Sequence, residues 1–190
     1  MYDKTIGYAL CGSFCTYTKA MAALKRLTEI YRRVIPIFSQ ASRETDSRFG
    51  TAEEHIGRAE ELCGAPALHT IAEVEPIGPK KLLDALVIAP CTGNTLAKLA
   101  HGIADGPVTM AAKSHLRNGR PLLLAVSTND GLAAAAENIG RLLARKHIYF
   151  VPFGQDDPIR KPTSLVANFD LLPDALDAAL SGLQLQPVLV

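Results

Sequence analysis

Three short polar stretches hold the residue types that bind anions and ring edges. They are Cys11-Gly12-Ser13, Thr92-Gly93-Asn94-Thr95 behind Pro90, and Ser127-Thr128-Asn129. Each follows an apolar run and precedes a stretch with helical spacing. Gly12 lets a backbone approach a ligand closely, and the Ser13 hydroxyl can donate to a phosphate oxygen. A plain glycine turn with a serine cap accounts for that stretch equally well when it is taken alone. Asn94 and Thr95 can bond a ring edge or a phosphate, and can cap the following helix at the same time. The free N–H groups and partial positive charge of that helix start suit a phosphate. Three such turns on one sheet edge predict a ligand site. None is a GxGxxG fingerprint, and no Gly-Lys-Ser/Thr marks a P-loop.

Cations close to the same edge could serve an acidic substrate, although each loop arginine or lysine taken alone reads first as solvated charge. Arg43 and Arg48 lie in the polar loop after the second predicted strand, where they could hold carboxylates bidentately. Lys98 stands four residues after Asn94, either for a carboxylate or on a solvated helix face. Arg160 and Lys161 carry the same two readings. Asp105, before Gly106, reads as a helix-end or subunit contact. The histidines His55, His69, His101, His115 and His147 fall in no HExxH motif, and no Ser-His-Asp set follows from spacing. No catalytic residue is therefore assigned. Cys11, Cys15, Cys63 and Cys91 match no zinc spacing and read as buried thiols, so no metal is expected.

Alternating strands and helices must position these turns. Thr5 to Leu10 reads as a first strand, and Phe14 to Arg32 as a helix. Val34 to Phe38 is a second strand whose Pro36 predicts a sheet edge or a bulge. Residues 39–50 are loop-like. Thr51-Ala52-Glu53-Glu54 is a capping-box start to a helix ending at Cys63 before Gly64. Ala67 to Val74 offers a short strand, and Glu75 to Pro79 no regular structure. The apolar run Ala85 to Ala89 predicts a strand buried on both faces that Pro90 stops, with Leu96, Leu99, Ala100 and Ile103 on the helix behind it. Val108 to Arg117 is a helix, Leu122 to Val126 a second buried strand, Leu132 to Lys146 a helix, Ile148 to Val151 a strand, and Pro173 to Leu180 a last helix.

The expectation is one α/β domain over 1–190, with a three-layer Rossmann-like or flavodoxin-like fold. Its sheet is mainly parallel with helices on both faces, and the tail of about 183–190 is peripheral. Twenty basic residues against nineteen acidic ones leave +1, which gives no electrostatic case for nucleic acid or an anionic membrane. No signal peptide and no apolar run of membrane-spanning length is visible, so a cytoplasmic protein is expected.

Ala89-Pro90-Cys91-Thr92-Gly93-Asn94-Thr95, with Lys98, Gly102, Ala104 and Asp105 behind it, resembles the APxSANTxxKxAxGxxD segment of a flavoprotein family. That family includes phosphopantothenoylcysteine decarboxylase and the lantibiotic cysteine decarboxylases. The resemblance implies that Gly12, Ser13, Thr92, Asn94 and Thr95 bind flavin mononucleotide (FMN). It implies Ser39 as a hydroxyl beside the flavin, and Ser127 and Asn129 in the turn that replaces the family's Pro-Ala-Met-Asn motif. Pro76 stands where the decarboxylases carry a catalytic histidine.

A longer resemblance runs through GSFCTY, SRFG, EPIGPK, LVIAPCTGNT, MAAKSHLRNGRP, LAVSTND, KHIYFVPFGQDDP and QLQPV, and is to the B subunits of dipicolinate synthases. It implies a partner A subunit of dehydrogenase type that brings NAD(P). It also implies oxidation of a dihydrodipicolinate-type precursor to pyridine-2,6-dicarboxylate in the mother cell of a sporulating bacterium. Arg43, Arg48 or Lys98 would then hold the two carboxylates of the substrate. A homo-oligomer, trimer or larger, is implied as well. Two alternatives remain: a binding or scaffold subunit that keeps the fold without turning over flavin, and a flavin-dependent cysteine decarboxylase in which another residue replaces the missing histidine.

Overall fold

Strands without a polar side chain are stable only between other strands and beneath helices on both faces. That rule places Ala85–Cys91 and the apolar part of Leu122–Thr128, residues 122–126, inside the sheet of the computed structural model, which describes residues 1–190. In chain order the elements are β1 (Tyr2–Leu10), α1 (Tyr17–Ile30), β2 (Tyr31–Phe38), α2 (Gln40–Glu44), α3 (Ala52–Cys63), α4 (Ile71–Val74), β3 (Ala85–Cys91), α5 (Gly93–His101), α6 (Pro107–Leu116), β4 (Leu122–Thr128), α7 (Ala136–Leu143), β5 (Ile148–Phe150), β6 (Phe153–Gly154), β7 (Leu165–Ala167) and α8 (Leu172–Leu180). Five parallel strands run in the order β2-β1-β3-β4-β5. One edge of β4 is divided: Leu122–Leu124 pair with β5, and Ser127 and Thr128 pair antiparallel with β7, which in turn pairs with β6. Helices pack on both faces, α1 with α8 and α5 with α6 and α7, which completes a three-layer α/β fold. The strand order reverses between β1 and β3. In open α/β sheets the crevice at such a switch point, outside the carboxyl ends of the strands, is where ligands sit.

Local chemistry explains most element ends. The capping box at Thr51 and Glu54 starts α3, and Gly64 closes it at φ +57. Pro36 lies on β2, an outer strand, where a missing N–H costs least. Several expectations need correction. The first helix stops at Ile30, because Tyr31 already pairs with Tyr2 and starts β2. The polar stretch after β2 contains α2, because the Ser39 hydroxyl accepts from the Ser42 N–H. In 67–74 only Leu68 bridges a strand, at Ile37, while a Thr70–Glu73 capping box turns Ile71–Val74 into α4. Glu75–Ile77 is a 3-10 turn that accommodates Pro76 in its first turn.

Pro90 does not stop its strand. β3 continues to Cys91, with a register irregularity between Ile88 and Cys91 where the proline has no N–H to give. Gly102, at φ +72, ends α5, so Ile103 lies beyond the helix and is 47% exposed. Turns occupy the start of the predicted 132–146 helix, and α7 begins only at Ala136. The antiparallel pair β6–β7 was not anticipated. The tail lies along β5 and β6: the Gln184 amide bonds both backbone groups of Phe150 at 2.8 and 2.7 Å, and Val190 N donates to Phe153 O at 3.1 Å. No helix is long and apolar enough to cross a membrane.

Candidate functional site

The chain leaves β1 in a tight turn, Ser13 N donating to Cys11 O at 2.8 Å. That turn swings the Ser13 hydroxyl toward the end of β4, where it lies 2.7 Å from Ser127 Oγ. Thr16 joins them: its hydroxyl donates to Ser13 O at 2.9 Å and lies 3.2 Å from Ser127 Oγ. Thr92, the N-cap of α5, accepts from Thr95 N at 3.3 Å. The Thr95 hydroxyl donates to Cys11 Sγ at 3.3 Å, which ties the β3 turn to the β1 turn. Side-chain hydrogen bonds therefore connect the three turns at one rim of the sheet. Ser39 completes the rim, since Ser39 N and the Ser42 hydroxyl both donate to Leu10 O, the last carbonyl of β1.

Two adjoining clefts open on this rim, of about 820 Å³ and about 600 Å³. Both volumes fall within the usual range of ligand sites. Gly12, Thr92 and Asn94 line both clefts, so they form the wall where the two meet. Ser13, Ser127, Asn129 and Arg48 face the larger cleft, and Ser39, Thr95 and Lys98 the smaller. Gly93 is required by close approach, because a Cβ there would lie 2.7 Å from Thr128 Oγ1 and 2.8 Å from Asp130 Oδ1. Thr92, not Asn94 or Thr95, is the cap, which leaves the Asn94 side chain available to a ligand.

The predicted cations separate. Arg43 lines neither cleft and is ion-paired with Glu44. Lys98 Nζ lies 2.9 and 3.0 Å from the Asp105 oxygens, and its hydrogen bonds hold the Asp105 carboxyl below the usual carboxylate range. Arg48 stacks 4.9 Å from the Phe49 ring centroid and makes no ion pair. Lys161 enters the larger cleft but pairs with Asp156 at 3.0 Å, and Arg160 enters neither. Thr16, Lys19, Asp130 and Asp156 also line the larger cleft and were missed. Thr16 and Lys19 follow Ser13 at intervals of three residues along a helix start, a signal that attention to apolar positions overlooks. Asp156 carries no such signal, because the β6–β7 pair delivers it.

No histidine lines either cleft, and neither does Pro76. His115 is buried at the other end of β4, its Nε2 3.0 Å from Pro121 O. Burial pushes the Cys11 thiol up to about 11, against the opposing hydrogen bond from Thr95, and raises Cys91 as well, so both stay protonated at neutral pH. The reading of four buried thiols holds for those two only. Cys63 is half-buried and Cys15 is exposed on the wall of the larger cleft.

The family model described as Flavoprotein matches residues 1–160. The chain belongs to the Flavoprotein family. This is the family whose Ala-Pro…Asn-Thr segment is legible in residues 89–105. The B subunit of dipicolinate synthase from Bacillus subtilis (strain 168) is 46% identical to this Flavoprotein over 187 residues, which cover 98% of this chain and 94% of the relative. The crystal structure of the corresponding dipicolinate synthase B subunit from Bacillus halodurans C superposes with a TM-score of 0.90 at 45% identity, covering 98% of this chain and 96% of the other. A dodecameric FMN-dependent UbiX-like decarboxylase from Escherichia coli O157:H7 superposes with a TM-score of 0.63 at 23% identity, covering 78% and 79%. At that identity the likeness is one of fold alone.

Proposed function

We propose that this Flavoprotein is the B subunit of a dipicolinate synthase with an FMN site on the rim of its sheet. It works with a dehydrogenase-type A subunit that brings NAD(P), and together they oxidise a dihydrodipicolinate-type precursor to pyridine-2,6-dicarboxylate during sporulation. It acts in the cytoplasm of the mother cell as a trimer or larger homo-oligomer. The observation that carries this reading is the 46% identity spread over 98% of the chain. The matched stretch spans the three turns as well as the core.

The residues present fit FMN. The hydroxyls of Ser39, Thr92 and Thr95 and the start of α5 surround the smaller cleft, whose charges are already paired, Lys98 with Asp105 and Glu44 with Arg43. Hydroxyl and N–H donors at a helix start are the chemistry that holds a phosphate. Ser13, Asn94, Ser127 and Asn129 supply donors and acceptors for a ring edge, with the backbone at Gly12 open to close approach. Bound FMN supplies a two-electron acceptor. The chain's own residues bind and orient. Ser13 and Ser127 brace one another at 2.7 Å, and Asn94 faces both clefts. The Asp156 carboxyl is held below the usual range by hydrogen bonds from Ser164 and Lys161, so it stays an anion at the mouth of the site.

A scaffold protein that keeps the fold without flavin turnover is the second reading. Proline at position 76 and clefts without an imidazole favour it. Reconstitution with the A subunit separates the two. Under the first reading the protein purifies with the visible absorbance of an oxidised flavin, and Ser13→Ala or Asn94→Ala lowers the two-subunit rate while pull-down of the A subunit is retained. An unchanged rate in both variants, with pull-down intact, establishes the scaffold instead.

A further inference from the structure

The larger cleft contains two cations that nothing else in the chain uses. Nine of the chain's twenty basic side chains are committed to other groups, and of the rest only Lys19 and Arg48 line either cleft. Arg26, Arg32, Arg43, Arg58, Lys98, Arg141 and Lys161 are in ion pairs. Arg120 and Arg145 donate to backbone carbonyls. Lys19 and Arg48 both line the larger cleft and neither has an anionic partner. Arg48 is braced by the Phe49 ring at 4.9 Å, which restricts the guanidinium and leaves its N–H edge for a planar anion. Lys19 is carried on α1, one turn beyond Thr16, whose hydroxyl is anchored on Ser13 O.

The charge balance of the two clefts is unequal. In the larger one Lys161 is cancelled by Asp156, and the Thr128 hydroxyl holds Asp130, so Lys19 and Arg48 face one remaining carboxylate. In the smaller one the sole lysine is committed to Asp105, so a dicarboxylate finds no free cation there. Cleft walls of low dielectric focus the field of an unpaired charge, which raises its value to an incoming anion.

We infer that Lys19 and Arg48 form a two-point clamp for the carboxylates of a small planar dicarboxylate, in the larger cleft and apart from the phosphate end of the flavin. The inference rests on the proposed function for the identity of the dicarboxylate, and it replaces Arg43 and Lys98 as carboxylate ligands. The division of labour is specific. The Arg48 fork takes one carboxylate, and Lys19 takes the other as a point charge.

The test is calorimetric titration of pyridine-2,6-dicarboxylate into the full-length protein saturated with FMN. Both side chains are exposed, so Lys19→Met and Arg48→Gln leave the core intact. Each is expected to weaken binding by about tenfold or more, with FMN affinity unchanged and with Arg58→Gln as a silent control. Pyridine-2-carboxylate lacks one anionic group, and with it as the probe one of the two substitutions should lose its effect. Binding of the dicarboxylate that is insensitive to either substitution overturns the clamp and leaves the proposed function standing. No binding of the dicarboxylate to the FMN-saturated wild type overturns the proposed function and the clamp together.

Discussion

The contact between Ser13 and Ser127 can be tested by a double-mutant cycle. Ser127 is 3% exposed, and its hydroxyl meets Ser13 Oγ at 2.7 Å and Thr16 Oγ1 at 3.2 Å. A neutral hydrogen bond contributes about 0.5–1.5 kcal/mol net, so Ser127→Ala should cost roughly 1–3 kcal/mol. Ser13 is half-buried, and water can replace part of what it loses, so Ser13→Ala should cost about 1 kcal/mol or less. The double variant should be less destabilised than the sum of the two, by a coupling of about 0.5–1 kcal/mol. For a chain of this length 1 kcal/mol moves Tm by roughly 2–4 °C. Urea unfolding of flavin-free protein followed by circular dichroism is the assay, because bound ligand would add its own stabilisation. Strict additivity, with coupling below about 0.3 kcal/mol, would mean that the β1 and β4 turns do not meet.

Other outcomes follow from single sites. Gly7→Ala would set a Cβ 2.6 Å from Leu83 Cδ1 and 2.8 Å from Leu86 Cδ1 in a closed core, so a loss of about 1–3 kcal/mol is expected in the same unfolding assay. Thr51→Ala removes the side-chain acceptor for Glu54 N and should cost about 1 kcal/mol, while Thr51→Ser should restore most of it. Burial lowers the pKa of His115 from 6.5 to about 4, and its Nδ1, once protonated, would find no acceptor for its N–H. The unfolded chain therefore binds the extra proton first. The stabilisation from a neutral His115 is complete above about pH 6.5 and is lost as pH falls toward 4. Urea midpoints measured across that window should rise with pH, and His115→Gln should flatten the rise.

What was legible in the chain follows the range of the forces involved. β3 and the first five residues of β4 are uninterrupted apolar runs, and only burial on both faces explains such runs. The bounds of α3 are set within a few residues by Thr51, Glu54 and Gly64, so they could be read directly. The three turns were legible because each is a polar break between a buried strand and a helix. Tertiary pairing decides the rest. β6 and β7 have two and three residues, too few for any alternation to show, and exist because β4 offers its free edge past Leu124. Arg43 and Arg48 look equivalent in sequence. The Ser39–Ser42 hydrogen bonds wind the first into α2 and pair it with Glu44, whereas Arg48 lies on the loop beyond and turns into the larger cleft. Lys19 was hidden for the opposite reason, since a lysine on an amphipathic helix resembles any solvated one until its neighbours across the cleft are known.

The proposed site requires one flavin to be held jointly by the turns at Gly12, Asn94 and Ser127. The decisive measurement is a crystal structure of the full chain grown with saturating FMN. The predicted result is flavin density against those three turns, with the phosphate among Ser39, Thr92 and Thr95. Density elsewhere on the molecule, or clefts without flavin at saturating FMN, would contradict it.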